Sequence, residues 1–204
     1  YNIYAIYDDG SCEFVTTPYI ITAPFGFPDM IIPDNNPTTI EGVILGEKLF
    51  HDKILSGDES QSCSSCHQKE FGFSDGNRFS AGIDGILGNR NASTLINAGW
   101  NTSFNWDGSV SSLEEQAFEP VTNHIEMNNT WQNVENRLNS NEEYQQLFKE
   151  AFNINYIDSN HVVKAIAQFE RTIVSANSKF DKYIEGTEQL NASELSGYAI
   201  FNSE

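Results

Sequence analysis

An all-α domain with long loops is the fold this sequence predicts, on three observations. Apolar residues recur at helical spacing in several separate stretches, and most of these stretches open on a capping residue. No stretch alternates apolar with polar as a half-buried strand does. With 204 residues, 39% hydrophobic and 12% aromatic, the chain can bury one substantial core and lacks the composition of a disordered segment.

Residues 1–37 carry Pro18, Pro24, Pro28, Pro33 and Pro37 among aromatic residues and read as an irregular arm lying on the domain formed by 38–204. Thr38 and Glu41 have capping-box spacing, and Ile40, Val43, Ile44, Leu45, Leu49 and Phe50 continue a helix to about His51. From Glu70 to Trp106 the chain is rich in Gly, Asn and Ser and shows no lasting period. A loop this long inside a domain is usually functional.

Ser112 and Glu115 predict a short helix that stops before Pro120. Thr130 precedes Trp131, Val134 and Leu138 at helical spacing, and Tyr144, Leu147, Phe148, Ala151 and Phe152 form an apolar stripe. Val162, Ile166, Phe169 and Ile173 mark the longest predicted helix, roughly Ser159 to Ala176. Asn191 and Glu194 cap a last helix carrying Leu195, Tyr198, Ile200 and Phe201.

Between the first helix and the long loop stands Cys63-Ser64-Ser65-Cys66-His67. A Cys-x-x-Cys-His run is the attachment site of c-type haem. Two thiols on one helical turn can add to the two vinyl groups of a single haem, and the next residue then supplies the proximal imidazole. A redox dithiol with an incidental histidine is the competing reading, whereas zinc would need a second ligand pair that Cys12 and the scattered histidines do not supply.

The formal charge is −18, from 29 acids against 11 bases. Such a surface repels nucleic acid and favours a cationic partner, although solubility alone also accounts for it. No apolar run approaches the length of a membrane span. Haem of this type is attached on the oxidising side of the membrane, which implies a periplasmic or exported protein. The first residues carry no signal-peptide pattern, so an export signal has been removed or lies outside them. Cys12, left over in the acidic stretch Tyr7-Asp8-Asp9-Gly10-Ser11, reads as a loop cysteine.

Several further motifs stand in order along the chain: Leu45-Gly46-Glu47-Lys48-Leu49-Phe50, Leu55-Ser56-Gly57, the haem motif and Phe71-Gly72-Phe73-Ser74-Asp75-Gly76. Gly88-Asn89-Arg90-Asn91, Trp106-Asp107-Gly108, Leu113-Glu114-Glu115-Gln116-Ala117 and Glu126-Met127 follow. Ala165-x-x-x-Phe169-Glu170-Arg171-Thr172 and Asn177-Ser178-Lys179-Phe180-Asp181 complete the set. Together they resemble the diheme cytochrome c peroxidase family, which includes the diheme enzymes of methylamine utilisation.

The resemblance implies a cytochrome c-like haem domain, the N-terminal, peroxide-reducing half of a two-haem protein. Leu195 to Phe201 resembles the helix leading into a second haem motif, and the chain stops just short of it. The implied partners are hydrogen peroxide, a small donor cytochrome or cupredoxin, the second haem domain, and a second copy in a homodimer. Cys63, Cys66 and His67 hold the haem. Glu126 matches the distal acid, which can take a proton from one peroxide oxygen and return it to the other. Gln116 matches the distal amide that orients peroxide, Trp106 the tryptophan between the haems, and Asn91 a calcium ligand whose companions come from the other half.

Three departures stand out. Ile83 falls where many members place a histidine that ligates the resting iron, so this haem is expected to stay open when oxidised. Ser109 replaces an arginine after Trp106-Asp107-Gly108, and Ser93 replaces a proline. Of the other histidines, His51 and His161 read as surface or capping residues. His124 would share a face with Glu126 only if that segment were extended. Met127 reads as packing. Three functions fit these residues: a peroxidase, an electron-carrying cytochrome without a substrate, and a methylamine-type enzyme that oxidises another protein. Glu126 favours the first, because the third branch usually has an amide there.

Overall fold

Small residues decide where the two central helices meet. In the computed structural model, which describes residues 15–203, α1 (Ile40–His51) packs along α6 (Ser159–Glu170). A Cβ on Gly46 would lie 2.0 Å from the Ala165 carbonyl oxygen, and one on Gly42 would lie 2.0 Å from the Gln168 amide oxygen. Glycines four residues apart on one helix face thus permit an approach that any side chain would block. Leu45, Leu49, Val162, Ala165 and Ile166 fill the interface, each almost fully buried. Burying a Leu, Ile or Val side chain is worth about 1.5–3 kcal/mol, so this seam dominates the core.

The remaining helices cover the pair. The stripe predicted around Tyr144 is α5 (Glu142–Phe152), which buries Tyr144, Phe148 and Ala151, and α4 (Trp131–Asn139) adds Val134 and Leu138. Thr130, just before the predicted stripe, caps α4 by accepting from the Asn133 N–H. α3 (Leu113–Thr122) packs on α6 from another side. α2 (Cys63–Cys66) is the single turn that holds the two cysteines. Among the described residues there are isolated β-bridges and no strand, in keeping with the all-α expectation.

The arm keeps little regular structure over residues 15–37, and its end is built into the core. Asn36 is buried, accepting from Gln168 Nε2 at 2.8 Å and donating to Glu114 at 2.6 Å, while Gln168 Oε1 accepts from Thr39 N–H at 2.9 Å. Cys12 lies outside the described residues.

Three helix limits differ from the sequence reading. The cap of α1 is Thr39, not Thr38: its hydroxyl accepts from Gly42 N–H, and Glu41 turns away to accept from Thr17 N–H at 2.8 Å. α3 runs through Pro120 to Thr122, because the returning chain satisfies its last carbonyls. Met127 N–H donates to Pro120 and Asn129 N–H to Val121. α6 stops at Glu170, not near Ala176. Beyond it Asn97, at φ 58°, pairs with Ile173 and Ser175 and draws the chain out of the helix.

One helix had no apolar stripe to announce it. α7 (Lys179–Ile184) is held by a Ser178–Asp181 capping box, and it contacts α8 (Ala192–Phe201) through Phe180, Tyr183 and Tyr198 and through Lys179–Glu194 at 2.6 Å. Neither buries a residue, and Ile200 and Phe201 of α8 are exposed.

Candidate haem site

Cys63 sits where two apolar clusters meet, one centred on α1–α6 and the other on Phe50, Leu95, Phe169 and Ile173. Ser62 starts the turn: its N–H donates to Ser65 Oγ at 3.0 Å, and its carbonyl accepts from Ser65 N–H at 3.0 Å. His67 ends it, with its N–H on the Cys63 carbonyl at 3.0 Å. The three predicted haem residues therefore stand on one short, doubly closed turn.

That turn forms a wall of a cavity of about 660 Å³. This is within the range of small-molecule and cofactor sites, roughly 300–1,000 Å³. Cys63, Cys66, His67, Asn91, Trp106, Gln116 and Glu126 all line it, so the residues given haem, catalytic or calcium roles in the sequence analysis come to one place. The long loop contributes residues 80–82, 87–93, 105–107 and 109, as expected of a loop folded over a ligand.

His67 is prepared as a ligand. Its Nδ1 lies 3.0 Å from the Phe73 carbonyl, and the tautomer that donates there leaves the ring's lone pair on Nε2. Burial lowers its pKa, so the imidazole is neutral, the form that binds a metal. Both cysteines are free thiols. Burial pushes Cys63 up to about 12, with Glu170 and Cys66 adding to the effect, and burial also raises Cys66 against the hydrogen bond it accepts from Gln61. Such thiols are poor thiolate ligands and poor redox nucleophiles. Among the described residues no group of three His, Cys, Asp or Glu side chains is placed to hold a metal ion. The zinc reading finds no ligand group among the described residues, while two unpaired thiols beside a neutral imidazole suit haem attachment.

Glu126 sits in a turn returning from α3. Asn123 Nδ2 donates to its carboxylate at 2.7 Å, and the turn closes through Glu126 N–H on Asn123 O at 3.0 Å. The carboxyl opens into the cavity. Loss of solvent there raises its pKa, Asn123 opposes this, and Glu119 adds to the rise. The segment is turn, not extended, so His124 does not share the face of Glu126 and is not in the cavity wall. Gln116 and Pro120 lie four apart on α3, on the side that faces the cavity.

Ile83, the position of the missing histidine, does not line the cavity. Its backbone N–H donates to the Glu126 carbonyl at 3.0 Å, and a Cβ on neighbouring Gly82 would fall 1.7 Å from the Ile125 carbonyl oxygen. The 80–88 loop therefore rests directly on the Glu126 turn. Trp106 is 59% exposed, and its Nε1–H donates to the Asn91 carbonyl at 3.0 Å. It is a rim residue, not a core one.

Sequence reasoning gave no role to three residues of the site. Gly82 carries no signal beyond its identity. Gln61 Nε2 holds Cys66 Sγ at 3.2 Å and the Ala81 carbonyl at 3.0 Å. Glu170 is 4% exposed and also lines the cavity.

Residues 40–189 match the family described as di-haem cytochrome c peroxidase. The chain is 36% identical over 182 residues to the methylamine utilization protein MauG of Methylophilus methylotrophus, covering 88% of this chain and 54% of that protein. It is 38% identical over 180 residues to the cytochrome-c peroxidase IdrP1 of Pseudomonas sp. (strain SCT), covering 87% and 48%. The crystal structure of a MauG-like protein associated with microbial copper homeostasis superposes with a TM-score of 0.80 at 31% identity, over 89% of this chain and 55% of that one. The chain thus spans about half the length of the curated relatives it matches. A c-type haem is what this family implies for the thiol pair and His67. By its matched residues, its identity to these relatives and its helical fold, the chain belongs to the di-haem cytochrome c peroxidase family.

Proposed function

We propose that this chain is the peroxide-reducing haem domain of a periplasmic or exported two-haem protein. The domain is residues 38–204 and its arm is 1–37, of which 1–14 and the terminal Glu204 lie outside the described residues. The observation that carries this reading is the single cavity lined by Cys63, Cys66 and His67 together with Gln116 and Glu126. Cys63 and Cys66 anchor the haem, and Nε2 of His67 ligates it. Bound there, the haem supplies an iron centre that takes up and passes on electrons.

Glu126 moves the proton. Reduction of hydrogen peroxide consumes two electrons and two protons and yields two waters. The carboxylate accepts a proton from one peroxide oxygen and hands it to the other, which leaves as water. A carboxyl held above its ordinary pKa is better matched to both transfers than a free one. Asn123 fixes one oxygen of that carboxylate, so the other is the working atom. Gln116 presents an amide to the same space and orients the peroxide. Trp106 carries electrons in from the rim, a role supported by its exposed outer side and its place in the wall. The donor is a small cytochrome or cupredoxin acting through a second haem domain, and the assembly is a homodimer.

Calcium at Asn91 belongs to the same reading. This chain offers one ligand, and by the family resemblance the others belong to the second domain.

The test uses the haem-loaded full-length protein with hydrogen peroxide and a reduced donor cytochrome. The Soret band should shift and peroxide should turn over. Glu126→Gln should lower kcat by about 10²–10⁴-fold with the haem spectrum of the resting protein unchanged. A Soret band indifferent to peroxide would sink the enzymatic reading.

A further inference from the structure

Glu170 is the one acid of the cavity wall that the proposed reaction leaves unused and that protein, not solvent, surrounds. It is 4% exposed, its Oε2 has no hydrogen-bond partner, and it faces the cavity beside Cys63. A buried polar atom without a partner costs roughly 1–3 kcal/mol. A charged one costs more, so the position calls for an explanation.

The neighbouring cation does not provide one. Adjacent residues on a helix point about 100° apart. Arg171 accordingly faces α3, where its Nη2 meets Glu114 Oε1 at 2.5 Å, while Glu170 faces the cavity. Glu114 is itself shared with Asn36. The charges acting on Glu170 are therefore Arg171, whose Nη2 is taken by Glu114 and whose buried Nη1 makes no hydrogen bond, and Glu114 from α3, which repels it. Cys63 of α2 lies on its cavity side. α1, packed along α6, brings the apolar Phe50 ring and the titratable His51 ring near this end, 5.1 and 6.4 Å from Phe169. Burial, only partly offset by Arg171, raises the carboxyl to about 8, so at neutral pH it holds its proton.

We propose that Glu170 is the redox-linked proton store of this haem site, binding one proton when the iron gains one electron and releasing it when the iron is oxidised. This rests on the haem reading above. An oxidised centre carries one more positive charge than a reduced one, which favours the carboxylate, while reduction favours the acid. The step balances: one electron enters from an external reductant, one proton enters from water, and the net charge of the buried site is unchanged. The other wall acids, Asp107, Glu119 and Glu126, all keep more solvent exposure than Glu170, so none is held to this balance as Glu170 is.

The experiment is a potentiometric titration of the haem-loaded native protein and of Glu170→Gln, with dithionite and mediators, at a series of pH values. Between the oxidised-state and reduced-state pKa of one coupled group, the potential falls by about 59 mV per pH unit. Wild type should show that slope over a window around neutral or mildly alkaline pH, and Glu170→Gln should lose it there. Equal slopes in the two proteins would assign the coupling to other groups and overturn the proposal. Redox-difference infrared spectra of wild type give a second test that needs no variant. Reduction should bring up the carbonyl band of a protonated carboxylic acid, sensitive to deuterium exchange, and its absence would overturn the proposal even if Glu170→Gln fails to fold. A chain that carries no thioether-linked haem would overturn both this inference and the function it rests on. A haem-loaded protein with no such band overturns Glu170 alone.

Discussion

Replacing Gly82 by alanine should disable the site from a position that has no side chain to take part in the reaction. A Cβ there would lie 1.7 Å from the Ile125 carbonyl oxygen and 2.7 Å from the Glu126 carbonyl oxygen. Both obstacles are backbone, so no side chain can swing aside. Ordinary contact begins near 3.4 Å, and the loop or the Glu126 turn must therefore move by more than 1 Å. The Ile83–Glu126 hydrogen bond at 3.0 Å ties the two segments, so the turn is displaced with the loop. Overpacking of this kind costs about 1–3 kcal/mol, a fall in Tm of about 2–12 °C for a chain of this size. A displacement of about 1 Å at a reacting group costs about 100-fold in rate. The assay compares peroxide turnover and thermal melting of haem-loaded Gly82→Ala and Gly88→Ala. Gly88 lies in the same loop, and its Cβ would meet nothing closer than 3.5 Å, so that variant should behave as wild type. Activity of Gly82→Ala within threefold of wild type would refute the claim that this loop positions Glu126.

Other outcomes follow from the same contacts. Arg171→Met strands Glu114 in the interior and should cost about 3–5 kcal/mol in urea unfolding, far more than a surface charge would. Burial alone would raise Glu114, but hydrogen bonds from Arg171 and Asn36 outweigh it and hold the carboxyl below its ordinary 4.5. Its contribution to stability is thus present above pH 4.5 and lost as pH falls through the depressed folded-state value. Thermal melts taken downward from pH 6 should show Glu114→Gln less acid-sensitive than wild type. Ile83→His should not yield a ferric spectrum with two strong-field ligands, because position 83 lies outside the cavity wall with its backbone bound to Glu126. A low-spin spectrum would contradict that placement.

The haem turn, the cavity residues and most helices were legible in the sequence for different reasons. The haem motif is contiguous, and its spacing is chemistry written directly in the chain. Helices such as α4 and α5 announce themselves because each buries one face, which imposes a period on the apolar residues. Limits set by distant partners were not legible. Nothing local distinguishes Thr39 from Thr38 as the cap, since Gln168 from α6 and Thr17 from the arm settle it. Pro120 reads as a stop until the chain comes back to bond the carbonyls of Pro120 and Val121. His124 would pair with Glu126 by alternation, but the turn that closes on Asn123 removes the alternation. Glu170 stood within a quoted motif without a role, because a burial of 96% on one helix face is a property of packing, not of spelling.

Arg137 gives the fold a lock. From α4 its guanidinium donates to the carbonyls of Ile54 and Ser56 at 2.9 and 2.7 Å and to that of Gly57 at 2.8 Å. Gly57 in turn donates to Met127 O at 2.7 Å, one residue past Glu126. Charged hydrogen bonds of this kind are worth about 1.5–3 kcal/mol each. The segment leading into the cysteines and the turn carrying the distal acid are thereby riveted to one side chain far along the chain. The pocket's other lip, the 80–91 stretch, has no such clamp of charged hydrogen bonds among the described residues and leans on the same turn through Gly82 and Ile83, so both walls meet at the distal acid.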